Sequence, residues 1–269
     1  MKLIDTHAHL DFENYQEDRH QVCMRASSDL QAIINIGISV ASCKACLDLS
    51  YKYVNFYTAA GIHPNDALSF NDKDWTKIEK IADDPRVVAI GETGLDLYHS
   101  VPITSQKELL EKHLDLANKV GKPVILHCRD ATPELLDFVN RWSQTKPMPL
   151  CLMHCFSQSE QVMQKYISMG FYIAVGGAMT YKNSQELYSM LKNIPSYRLM
   201  LETDAPFLPP QSHRGERNEP AYIMETAQKV AEIRGVSLSE LTEQTTQNAI
   251  RFFNLPDLES TEPQEQVTL

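Results

Sequence analysis

The chain has 269 residues, 43% of them hydrophobic and 22% charged, with a formal net charge of −10 at pH 7. That is ample material for a core, and ordinary glycine and proline usage excludes a collagen-like or broadly disordered chain. The acidic balance argues against non-specific coating of long nucleic acid, which needs a positive face, but leaves room for a local phosphate site. No apolar stretch approaches the roughly 20 residues that cross a bilayer. Asp5 and His7 interrupt the N-terminus before an apolar leader can form. The expectation is a soluble, cytoplasmic protein, with six cysteines (Cys23, Cys43, Cys46, Cys128, Cys151 and Cys155) as reduced thiols.

Short apolar runs recur along the chain, and eight of them read as strands. They are Leu3-Ile4, Ala32 to Ile36, Phe56 to Ala60, Val87 to Ile90, Val124 to Leu126, Leu150 to Met153, Tyr172 to Val175, and Leu199 to Leu201. Helical spacing fills the gaps, as in Leu109, Leu110, His113, Leu114, Leu116 and Ala117, and again in Ile223, Ala227, Val230 and Ala231. Strands alternating with helices predict βαβ units, and eight of them at this length predict an α/β protein with a closed (β/α)8 TIM barrel. The pattern gives one barrel over residues 1–255 and a polar, disordered tail over 256–269. Cys43 and Cys46 form a C-x-x-C pair without a second pair at zinc-site spacing. They fall in a helical segment where Cys46 and Leu47 would face the core, so packing is their expected role.

Polar residues gather where the apolar runs end. Asp5, His7 and His9 close the first run and, on an alternating strand, would all point the same way. His63 follows the third and Glu92 and Asp96 follow the fourth; His127 and Arg129 end the fifth, His154 the sixth, and Glu202 and Asp204 the eighth. Active sites of such barrels lie at the C-terminal ends of the strands. Four imidazoles and at least two carboxylates exceed what one tetrahedral ion needs, which points to two divalent ions with Glu92 able to bridge them. Paired ions about 3.5–4 Å apart clamp the attacking and departing oxygens of a phosphoryl centre, so hydrolysis leads over redox chemistry. A dinucleotide turn and a Walker loop are both absent from the sequence.

In these blocks the chain resembles the TatD-type metal-dependent deoxyribonucleases, a branch of the amidohydrolase-like barrels. The blocks run from Asp5-Thr6-His7-Ala8-His9 through Gly61-Ile62-His63-Pro64, Gly91-Glu92-Thr93-Gly94-Leu95-Asp96 and His127-Cys128-Arg129-Asp130. They continue through His154-Cys155-Phe156-Ser157 and Glu202-Thr203-Asp204-Ala205-Pro206 to Arg214-Gly215-Glu216-Arg217-Asn218-Glu219-Pro220, so the resemblance covers Leu3 to about Leu255. It implies one ion held by His7, His9, Glu92 and Asp204, and a second by Glu92, His127 and His154, the ions being magnesium, manganese or zinc. It also implies Asp204 as base to the nucleophilic water, with Glu92 as the other catalytic carboxylate. His63 and Arg129 are expected to hold phosphate oxygens, and Tyr98 to stack on a base.

His20, His99 and His113 lack a strand-end position. His213 precedes Arg214 in a loop, and Arg214, Asn218 and Glu219 are expected to brace the segment after strand eight. Cys128 and Cys155 adjoin candidate ligands but should face away from them. The leading expectation is a phosphodiesterase trimming DNA strand ends from the 3′ side, or acting on a small phosphodiester, without a membrane or an obligate protein partner. The alternative is hydrolysis of a carboxylic ester or amide, such as a lactone or a D-aminoacyl-tRNA, where the same activated water attacks carbon. A barrel recruited as a scaffold would show broken ligands, and none is broken here.

Overall fold

A computed structural model describes residues 2–256, so the expected tail beyond Pro256 lies outside the described residues. Eight parallel strands pair in the order β1 to β8. They are β1 (Ile4–Ala8), β2 (Ala32–Gly37), β3 (Phe56–Ala60), β4 (Val87–Asp96), β5 (Val124–Arg129), β6 (Cys151–Met153), β7 (Tyr172–Val175) and β8 (Leu199–Leu201). The ring closes where the Asp204 N–H donates to the His7 carbonyl at 2.9 Å and the His9 N–H to the Ala205 carbonyl at 2.7 Å. Each run expected to be a strand is one, because parallel strands covered on both faces read as continuous apolar segments. The architecture is a (β/α)8 barrel.

Helices α1 (Arg19–Asp29), α2 (Val40–Lys52), α3 (Asp72–Ala82), α4 (Ile103–Val120), α5 (Thr132–Thr145), α6 (Glu160–Ser168), α7 (Tyr188–Asn193) and α8 (Ile223–Arg234) connect or follow the strands, and α9 (Leu238–Phe253) ends the fold. Several starts are set by side-chain caps. Ser39, Asn71, Ser159 and Ser237 each accept a backbone N–H of the first turn, at α2, α3, α6 and α9. Among the described residues no helix is long and apolar enough to cross a membrane.

Two apolar layers result. The lumen holds Ile4, Ile34, Tyr57, Ile125, Leu152 and Met200, joined by Phe252 and Phe253 from the last turn of α9. Each such burial contributes about 1.5–3 kcal/mol. α9 is tied across the strand starts, since the Asn248 amide donates to the Ser196 and Leu199 carbonyls and the Thr246 hydroxyl to the Lys2 carbonyl. One mouth of the barrel is thereby plugged, and polar chemistry is left to the other. On β5, Val124 and Leu126 join the outer layer and Ile125 the lumen; on β6, Cys151 and Met153 are outer and Leu152 inner. Continuing that alternation turns His127 and His154 inward above the plug.

The helical periodicity read from the sequence holds: all six positions singled out in α4 are buried, as are the four in α8. Within α4, His113 is fully buried. Its Nδ1–H donates to the Leu109 carbonyl at 2.8 Å and its Nε2 accepts the Ile62 N–H at 3.0 Å. Burial pushes its pKa down from 6.5 to about 4, so the folded ring is neutral. As pH falls below 6.5, the unfolded chain binds a proton that the folded one refuses. Stability is therefore full above 6.5 and lost on the way to 4, by about 3 kcal/mol from this residue. Urea midpoints recorded from pH 7 to pH 4 should fall accordingly, and less steeply in His113→Gln.

Cys43 and Cys46 are buried on α2 while Leu47 is only half-buried, so the core-facing pair is the two cysteines. Burial pushes the Cys43 thiol up to about 12 and the Cys46 thiol well above its usual range, which suits packing rather than redox exchange.

Candidate metal centre

Two irregularities in the sheet aim the central side chains. On β1, Leu3 and Ala8 belong to the outer layer and Ile4 to the lumen, so strict alternation would turn Asp5 and His7 outward. A register shift between Asp5 and Ala8 breaks the alternation. His7 then reaches the centre, while Asp5 accepts hydrogen bonds from the Thr203 N–H and hydroxyl and from the His7 N–H. The expectation that Asp5, His7 and His9 share one direction is corrected accordingly: Asp5 braces the end of β8. Burial lifts its pKa to about 7.

The second shift lies on β4, between Ile90 and Thr93. The Gly91-to-Asp96 block does not follow the fourth strand but belongs to it, since β4 runs on to Asp96. Gly91 and Gly94 take φ of +135° and +144°, and a Cβ on Gly91 would stand 2.6 Å from the Ile125 carbonyl oxygen. A Cβ on Gly94 would collide with the His127 carbonyl oxygen. Gly94→Ala is expected to cost at least about 2 kcal/mol through that strain, read as a melting temperature lower by about 5 °C or more.

The side chains so aimed converge. His7 Nε2 lies 3.2 Å from His9 Nε2, 3.5 Å from Glu92 Oε2 and 3.6 Å from Asp204 Oδ1. His9 Nε2 lies 3.7 Å from Asp204 Oδ1. On the other side of Glu92, Oε1 is 2.7 Å from His154 Nε2 and 2.9 Å from His127 Nδ1, and those two nitrogens are 3.2 Å apart. All six residues suggested by the sequence meet in one place. Ligand atoms close enough to share an ion form three groups: His7, His9 and Asp204; His63, Glu92 and His127; and His7, His154 and Glu202.

Hydrogen bonds at the far side of three of these rings decide which nitrogen faces inward. His9 donates from Nδ1 to the Ile36 carbonyl at 3.1 Å, so its Nε2 lone pair points into the centre. His127 donates from Nε2 to Asp96 Oδ2 at 3.1 Å, which leaves Nδ1 facing Glu92. His63 differs: its Nδ1 accepts the Asn65 N–H at 3.2 Å, so the neutral ring carries its proton on Nε2, 3.7 Å from Glu92 Oε1. Burial pushes the His63 pKa down to about 4 and keeps that ring neutral. It is a donor in this arrangement rather than a ligand.

This donor set fits divalent cations. Nitrogen lone pairs and carboxylate oxygens crowd one buried volume, and only protons or cations between them relieve the repulsion. Without a cation the pKa shifts register that pressure. Burial opposes charge on His127, yet its bonds to Asp96 and Glu92 lift it to about 9. Burial likewise opposes charge on Glu92, yet His154, His127 and His7 hold it well below the carboxylate range. Mixed imidazole and carboxylate donors suit zinc or manganese, and magnesium with more water retained.

Two participants carried no role in the sequence reading. Asp96 orients His127, itself held by Gln106, whose side chain accepts the Asp96 N–H and donates to its carbonyl. Glu202, fully buried, accepts the Cys155 N–H at 2.5 Å and lies 3.9 Å from His154 Nδ1. Its position directly after the last residue of β8, in the same strand-end stretch as Asp204, was the available signal.

Arg129 and Tyr98 sit together at the rim. The guanidinium carbon lies 3.6 Å over the centre of the exposed Tyr98 ring. One face of that ring is thereby occupied, and the N–H edges of Arg129 are left for another partner. His213 is elsewhere, between Glu216 and Glu225 and stacked on Tyr222 at 3.8 Å. His20 bonds the Tyr53 hydroxyl, and His99 lies 3.2 Å from Asp96 Oδ1 at the exposed edge. Asn218 and Glu219 brace the segment after β8, the latter through Arg25 and Arg217. Arg214 stacks over Tyr181. Cys155 and Cys128 are packed thiols whose pKa burial raises.

A (β/α)8 barrel with imidazoles and carboxylates converging at the C-terminal ends of its strands defines a class, the metal-dependent hydrolases. The chain belongs to the TatD family: residues 4–254 match the family described as TatD related DNase. It is 36% identical to a metal-dependent hydrolase of Bacillus subtilis, YabD, over 94% of this chain and 99% of that one. It is 31% identical to the 3′-5′ ssDNA/RNA exonuclease TatD of Pectobacterium atrosepticum, over 94% and 100%. Among solved structures, the TatD homologue YjjV of Escherichia coli K12 superposes with a TM-score of 0.87 at 30% identity, covering 94% of this chain and 98% of that one.

Proposed function

We propose that the protein is a two-metal phosphodiesterase that removes nucleotides from the 3′ ends of single-stranded DNA. The observation that carries this reading is the division of the centre into two imidazole pairs about one carboxylate, with His63 Nε2–H and the Arg129 fork beside it. In this reading one ion is held by His7, His9, Glu92 and Asp204 and the other by Glu92, His127 and His154. When bound, the ions supply acidity to a water and withdraw charge from the phosphate. Relatives named as exonucleases, at 31–32% identity, support the substrate class.

The residues then divide the work. Asp204, whose side chain is 14% exposed against 0–5% for its neighbours His7 and His9, accepts the proton of the incoming water. Water adds to phosphorus as the P–O ester bond breaks, and the departing alkoxide takes a proton from solvent. His63 donates from Nε2 to one non-bridging oxygen, and Arg129 donates from its open edge to the other. Two donors match the two free oxygens of a phosphodiester. Asp96 holds the His127 ring in place through its hydrogen bond to Nε2. Residues 1–255 form one catalytic domain in this reading, and six free thiols accord with a cytoplasmic setting.

The test is hydrolysis of a labelled single-stranded oligonucleotide by chelator-stripped protein, with magnesium, manganese and zinc restored in turn. Shortening from the 3′ end that needs an ion supports the proposal and identifies the working metal. Protein that binds two ions yet leaves every oligonucleotide intact would transfer the reading to ester or amide substrates.

A further inference from the structure

The wall beside His9 and Asp204 is aromatic, and the chemistry above makes no use of it. Phe12 stacks on the His9 ring, with centroids 4.6 Å apart and planes 24° from parallel. Phe207 meets both edge-on, 6.0 Å from Phe12 and 6.2 Å from His9. Although it adjoins the most buried part of the molecule, Phe207 is 47% exposed. A large apolar side chain left open at the edge of a catalytic centre is free to cover something else.

It is also held still. The Phe207 N–H donates to the Asp204 carbonyl at 2.8 Å, and its own carbonyl accepts the Asn218 amide at 2.7 Å. The same amide donates to the Thr203 carbonyl at 2.9 Å, and Asn218 is fully buried. The Tyr15 hydroxyl donates to the Asn218 carbonyl, while the Tyr15 N–H donates to the carbonyl of Phe12. Asn218 and Tyr15 thus join the segment bearing Phe207 to the turn bearing Phe12. Arg217, paired with Asp18 and lying 4.4 Å over the Tyr15 ring, reinforces the junction.

We propose that Phe207, seated on Phe12, is a stacking shelf for the nucleobase next to the scissile phosphate. The inference rests on the nuclease reading and adds a specificity determinant to it. Every base offers a π-face, so the shelf grips without reading sequence. A base within a duplex has both faces covered by its neighbours, and the shelf therefore selects strands whose terminal bases are unstacked. The rim opposite, where Arg129 lies over Tyr98, serves phosphate instead.

The experiment compares an intact single-stranded oligonucleotide with one made abasic at either of its last two positions. Wild type, Phe207→Ala and Phe207→Trp are assayed for kcat/KM with the working ion, and for binding by fluorescence anisotropy with and without it. Base–aromatic stacking predicts that wild type prefers the intact strand by about 5- to 150-fold. That ratio should collapse toward one in Phe207→Ala and persist in Phe207→Trp. Wild type that treats both strands alike overturns the shelf, as does a Phe207→Ala variant that lowers both substrates by one factor. The nuclease reading fails separately: preference in binding without cleavage by any ion removes it and keeps the shelf, and neither binding nor cleavage removes both.

Discussion

Replacing Glu92 by alanine is expected to empty the centre and reduce turnover on the order of 10³-fold. His7→Ala should retain at least about ten times more activity, because the reasons are geometric. Glu92 Oε1 lies within 2.9 Å of the facing nitrogens of both His127 and His154. Its Oε2 faces the other pair, 3.5 Å from His7 and 3.8 Å from His9. Removal of this carboxylate strips negative charge from both halves of the site at once, whereas His7 is a neutral ring and one of two imidazoles facing Oε2. Metal content by mass spectrometry should show both ions lost in Glu92→Ala and one retained in His7→Ala. Equal turnover of the two variants at matched metal content would remove the bridging assignment.

Asp204→Asn is expected to lower kcat by about 10²- to 10⁴-fold while the protein remains folded and the His127–His154 side stays loaded. The substitution is a clean one. Asp204 has φ of +57°, a left-handed conformation that asparagine tolerates, and its N–H still donates to the His7 carbonyl. Shape is kept while the proton acceptor and one charge are lost. Turnover within a few-fold of wild type would exclude Asp204 as the base, and unchanged melting would show that the loss is chemical.

The strands and the positions of the candidate ligands were legible for the same reason. A parallel strand covered on both faces must be apolar until it leaves the sheet, so the first polar residues after each run mark the catalytic end. His127 after Val124 to Leu126, and His154 after Cys151 to Met153, follow that rule. The rule fails where the backbone departs from regular pairing. Nothing in Ile4-Asp5-Thr6-His7-Ala8 announces the register shift that separates Asp5 from His7. Nor does Gly91-Glu92-Thr93-Gly94 state that the strand continues through it, since glycines equally mark a loop. The role of Asp96 depends on pairing across strands, where Gly94 lies opposite His127 and Asp96 opposite Arg129. Periodicity along one segment carries no information about that register.

The sequence by itself determined the order of strands and helices, the apolar faces of α4 and α8, and which histidines and carboxylates stand at strand ends. Each follows from interactions within a few residues: side-chain alternation, helical spacing and capping. Tertiary structure alone decided which ring nitrogen faces the centre, because the Ile36 carbonyl and the Asp96 carboxylate that choose it come from other strands. It also decided that Phe12 and Phe207, from opposite ends of the chain, share one wall beside His9. The first choice is made where β1 pairs with β2 and β4 with β5, the second where β8 closes on β1, and no local pattern encodes those registers.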